Sequence, residues 1–197
     1  MNVTKNKPSI LMRAGVLGLF ITLLSGAAYA QVDSILSDRA NGFSMGAIAG
    51  LGRSVYAGIV GVEVTSPAFL KNRLAVRVRG GFDWIETYDL QGYQIDSHPS
   101  VGGSIIYRSF VAQRARFYVE IGTFVLFPSN EISNRVYATG YSGTTGFEFF
   151  NRPESGVTLS YFFGGGLAIH DTNMDEAGSQ DYFGEDFIFT NGLRVYF

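Results

Sequence analysis

The sequence predicts an all-β fold, an eight-stranded antiparallel up-and-down transmembrane β-barrel. Three observations lead there. Apolar residues recur at every second position in eight separate stretches of the 197 residues, the pattern of strands with two unlike faces. Most of these stretches outrun the ~5–6 residues of an ordinary soluble strand and suit the ~9–11 tilted residues that cross a bilayer. The composition sets 25 glycines and 15% aromatics against only 16% charged residues, which favours strands and tight turns over helices.

The first thirty residues stand apart from this pattern. Lys5, Lys7 and Arg13 precede the apolar run AGVLGLFITLLSGAA, and small residues at Ala28 and Ala30 follow it. A basic start, a short apolar stretch and a small-residue cleavage site predict a secretory signal peptide over 1–30. The apolar run falls short of the ~20 residues that span a bilayer as a helix. Residues 31–41 (QVDSILSDRAN) read as a periplasmic lead-in, and 42–197 as the barrel. Losing the leader removes three basic residues and no acidic one, so the mature chain is more negative than the full-length net charge of −2. Such a chain lacks the basic patches that nucleic acid requires. With no cysteine, it has no disulfide, thiol nucleophile or thiolate metal site.

The alternation places strands over 42–51, 55–65, 73–85, 99–109, 116–127, 138–150, 157–169 and 186–197. The links alternate in length. SPAFLKN, FVAQRA and NRPESG are short, whereas ETYDLQGYQIDSH, PSNEISNRVY and HDTNMDEAGSQDYFGE are longer and mostly polar. Short turns at one end and long loops at the other are the pattern of outer-membrane barrels, with the short turns periplasmic. The link at Gly52-Arg53-Ser54 is an exception, as tight as a hairpin turn.

A soluble lipocalin-like barrel also has eight strands, with an apolar lumen and a polar outside. The two faces decide between them. One face of the fifth strand reads Phe117, Val119, Ile121, Thr123, Val125, Phe127, and the same face of the last reads Phe187, Phe189, Asn191, Leu193, Val195, Phe197. The equivalent face of every strand is free of charge. The opposite face carries Glu63, Arg77, Arg79, Asp83, Arg108, Glu120, Glu148 and Arg194, with serines, threonines and glycines. Eight strands enclose only enough room for side chains. The charges therefore belong inside and the apolar face against lipid. Aromatics gather near both strand ends, Phe43, Phe149 and Phe197 at one and Phe82, Trp84, Phe127 and Phe187 at the other, as interfacial girdles do.

The leader, the eight alternating strands and the closing LRVYF resemble the small eight-stranded outer-membrane barrels, the class of OmpX and the OmpA transmembrane domain. The resemblance implies a bacterial outer-membrane location, with lipid and lipopolysaccharide around the barrel. It also implies that Leu193, Val195 and Phe197 form the closing signal read by the barrel assembly machinery. A surface ligand at the outer loops is a further expected partner.

The inward charges balance, four acidic against four basic. Glu63 neighbours the strand of Arg77 and Arg79, and a short turn joins the strands of Arg108 and Glu120. Buried charges persist only when paired and hydrogen-bonded, so the eight are expected to form a salt-bridge network that fills the lumen. A ring of one sign would have indicated a selective pore. The expected role is structural, or surface interaction through the loops. The alternatives are a lipid A deacylase-like enzyme and a narrow solute pore. Deacylases of the PagL type place a serine two residues after a histidine, with an acid nearby. Here His170 is followed by Thr172, while His98 is followed by Ser100 but reads as a loop-edge residue. No catalytic residue, cofactor or metal site is assigned. The loop bearing Asp171, Asn173 and Asp175 has Glu176 and Tyr182 where an EF-hand requires glycine and glutamate.

Overall fold

Alternation becomes eight paired strands in the structure, a computed structural model that describes residues 34–52, 56–89, 92–128, 136–151, 157–172 and 182–197. The expected leader and most of the Arg53-Ser54 link lie outside the described residues. A short helix α1, Ser34–Ala40, precedes β1 (Ser44–Gly52), β2 (Tyr56–Thr65), β3 (Leu74–Asp89) and β4 (Gly92–Ala112). Then follow β5 (Ala115–Leu126), β6 (Ala138–Phe150), β7 (Thr158–Thr172) and β8 (Tyr182–Tyr196). Each strand pairs antiparallel with its sequence neighbour, and β1 pairs with β8 from Ser44↔Tyr196 to Gly52↔Ile188, closing the barrel. Closure leaves no unpaired sheet edge.

Three elements differ from the sequence reading. ETYDLQGYQIDSH is not a loop, because β3 and β4 continue through it as paired strands up to Asp89↔Gly92. The alternation that marks the other strands stops after Trp84 and resumes only near Val101, so the sequence reading ended the strands there. β7 and β8 likewise extend into the last predicted loop, to Thr172↔Tyr182. At the end of the barrel that holds Ser44 and Phe197, residues 34–40 form α1 where a plain lead-in was expected. Its Leu36 and Ala40 are buried against Phe150 and Tyr196, so the helix closes that mouth of the barrel.

The facing follows the alternation. Val62, Ile121, Leu193 and Phe197 are exposed outward, while Glu63, Glu120 and Arg194, one step away in sequence, are buried inward. Glycine sets some of the lumen's width. Gly61 and Gly81 lie opposite each other on β2 and β3, and a Cβ on Gly61 would stand 2.6 Å from the Gly80 carbonyl oxygen. The β2–β3 turn is closed by Leu70, Lys71 and Asn72 with φ of 47°, 62° and 61°. Asparagine tolerates this left-handed region, whereas the other two are strained there.

The charged lumen as candidate functional site

The lower lumen, nearer α1, holds one continuous chain of alternating acids and bases. Ser104 donates through Oγ to Glu120 Oε1 at 2.7 Å. The other oxygen of Glu120 accepts from Arg77 Nη1. Arg77 also donates through Nε to Thr65 Oγ1 at 3.0 Å and lies 3.5 Å from Glu63 Oε2. Glu63 accepts from Arg194 Nε, and Arg194 Nη1 lies 3.2 Å from Glu148 Oε1. Glu148 accepts from Arg116 Nη2 at 2.6 Å and from Tyr196 OH at 2.6 Å, and Ser160 Oγ donates to it as well. The chain ends where Arg116 Nη1 donates to the Ala40 carbonyl at 2.7 Å, tying the network to α1.

Local structure makes this possible. Register sets Glu63 opposite Arg79 and Gly46 opposite Arg194, so Arg194 crosses above a glycine to reach Glu63. Arg194 is also stacked on Phe162, its Cζ 3.6 Å from the ring centroid. That ring lies over Gly192, where a Cβ would stand 2.6 Å from it. Arg116 sits among Phe150, Tyr196 and Phe110, with Cζ 4.9, 5.5 and 5.7 Å from their centroids. Guanidinium on an aromatic face is favourable, and more so when desolvated. The lumen is thus a packed polar and aromatic core.

The structure brings Glu63, Arg77, Glu120, Glu148 and Arg194 together, and adds a residue the sequence reading missed. Arg116 is 1% exposed. Its even position in β5 already put it on the inward face, but it stands at the strand start, where a snorkelling surface arginine is an equally natural reading. Arg108 does not pair with Glu120 as expected. Register sets it opposite Tyr118, and sets Ile106 opposite Glu120. The short turn between the strands gave proximity, but the pairing depends on register. Arg108 is buried, and its Nε and Nη2 make no hydrogen bond among the described residues.

Arg79 and Asp83 lie higher, apart from the chain. With Ser100, Ser142 and Thr190 they line a cavity of about 30 Å³, the room of roughly one water molecule. His98 is not at a loop edge. It lies within β4, is 1% exposed and stands opposite Asp83. The Asn173 and Asp175 of the acidic loop lie outside the described residues. Leu193 and Phe197 are exposed on the outside of β8, with the Phe197 ring 6.2 Å from that of Phe43 across the β1–β8 closure.

No protein-family model matches the sequence, and no curated protein matches it. Among solved structures the chain is similar to the N-terminal β-barrel domain of Pseudomonas aeruginosa OprF, with a TM-score of 0.49 and 13% identity over 80% of this chain and 98% of that one. The fold class is defined by the chain itself, a closed eight-stranded antiparallel up-and-down barrel.

Proposed function

We propose that the protein is an integral outer-membrane barrel with a closed lumen, a rigid support for surface-exposed strands and loops. The observation that carries this reading is the inversion of its faces. The outside is an uncharged apolar belt with aromatics at both rims, and the inside is a salt-bridged network. An apolar outside suits hydrocarbon, and a closed sheet satisfies its own backbone there. Continuous packing from Ala40 through Arg116, Glu148 and Arg194 to Phe162 supports the closed lumen over the pore. The β3–β4 hairpin, five paired residues longer than Trp84 requires, supports a surface role for the loop end. His98 faces the lumen, away from lipid, which favours a non-enzymatic role over lipid A modification. The belt's partners are outer-membrane lipid and lipopolysaccharide, with the assembly machinery engaging Leu193, Val195 and Phe197 during insertion.

The test joins fractionation to electrical recording. The protein is expected in the outer-membrane fraction, and planar bilayers holding it are expected to stay silent. A steady, ion-selective conductance would replace the support by a pore. A change in lipid A mass that depends on the protein would replace it by an enzyme.

A further inference from the structure

The outward belt contains a polar group that lipid does not satisfy. Among the described residues, Asn191 is the one carboxamide on the outward face of the strands, and it is exposed. Its backbone is paired with Ala49 and Phe163 in the sheet, but its side-chain carboxamide has no hydrogen-bond partner among them. On β8 it lies four residues from the rim aromatic Phe187 and six from Phe197. At ~3.4 Å per residue and a tilt of ~40°, that is ~10 Å below one rim and ~15 Å above the other. At this depth acyl chains present no donor or acceptor. Polar groups in a bilayer core characteristically face a protein partner.

The surface beside Asn191 is also hollow. Ala49, Gly58, Val60 and Trp84 share with it a groove of about 510 Å³ across β8, β1, β2 and β3. Small residues there let another backbone approach closely. We propose that this face is a twofold interface with a second copy of the chain, with Asn191 hydrogen-bonded to its counterpart. A carboxamide both donates and accepts, so it is complementary to itself. A twofold axis sets each such group against its own copy. The groove then receives side chains of the copy.

The proposal rests on the membrane reading, and the experiment separates the two. The chain has no cysteine, so Val136→Cys, exposed at the loop end, gives one labelling site. Donor- and acceptor-labelled full-length protein is reconstituted in phosphatidylcholine vesicles over a range of protein-to-lipid ratios. Energy transfer that declines with dilution is expected. Asn191→Leu should weaken the association by roughly three- to twentyfold, the range of polar contacts within membranes, while keeping its heat-modifiable folded band. Thr123→Val, on the outward face of β5, should leave association unchanged. No transfer at any ratio, as when lipid fills the groove, or wild-type association by Asn191→Leu, would overturn the interface. Carbonate washing of the same vesicles tells the failures apart. Protein retained but monomeric refutes the interface alone, and protein washed free refutes the membrane reading with it.

Discussion

Tyr196 and Phe197 are consecutive residues facing opposite environments. Tyr196 is 2% exposed, its hydroxyl bonded to both Arg116 and Glu148, whereas Phe197 is 70% exposed on the outside of the barrel, at the rim nearer α1, against Phe43. The period of two in a strand produces this division, and the same step separates Glu63 from Val62 and Glu120 from Ile121.

Tyr196→Phe is predicted to destabilise the barrel by about 1–3 kcal/mol, because it leaves Arg116 and Glu148 each short of a buried partner. Phe197→Leu, which keeps an apolar rim residue, should cost less. Urea titrations of the protein folded into lipid vesicles measure both. Equal midpoints for Tyr196→Phe and wild type would mean that the hydroxyl does not join the network.

Facing is tested from the outside. Val62, exposed on β2, should lose about 2–4 kcal/mol on change to Arg if it lies near the bilayer midplane. Val136→Arg, beyond the belt, should be nearly neutral. The same titration in lipids of different chain length reads the depth dependence, and free tolerance of Val62→Arg would reverse the assigned facing.

The network makes a specific statement about partners. Arg77→Ala should cost about 3–5 kcal/mol, since it leaves the buried Glu120 carboxylate with only the Ser104 hydroxyl bonded to it; Glu120→Ala should cost less, because Arg77 keeps Glu63 and Thr65. The double substitution should recover part of that loss, giving a clear coupling energy. The cycle between Arg108 and Glu120, whose register does not align them, should be closer to additive. Strong coupling in that second cycle with none in the first would refute the pairing described here.

The facing was legible because, within the stretches that alternate, the charges from Glu63 to Arg194 fall on one parity only; the extensions of β3 and β8 beyond them, with Glu86 and Glu185, break the rule. Pairing was less legible. Whether Glu120 meets Arg77 or Arg108 depends on register between strands, and alternation within a strand does not encode register. Inward aromatics were hidden by the same rule that revealed the charges. Phe162 and Tyr118 look like lipid-facing residues by type and are lumen-facing by position, stabilised by the guanidinium of Arg194. The buried setting of His98 escaped notice because its strand runs on into a polar hairpin, where burial comes from the lumen and leaves no apolar alternation to read.

The most direct measurement uses the sole tryptophan of the chain, Trp84, which faces outward on β3 near the loop-end rim. Folded protein is reconstituted at high lipid dilution in vesicles of phosphatidylcholines brominated at different depths. Strong quenching of Trp84 by bromines high on the acyl chains, weaker quenching by deeper ones and little by aqueous acrylamide are predicted. Acrylamide quenching comparable to that of free tryptophan, with no response to bromine at any depth, would contradict a lipid-facing belt.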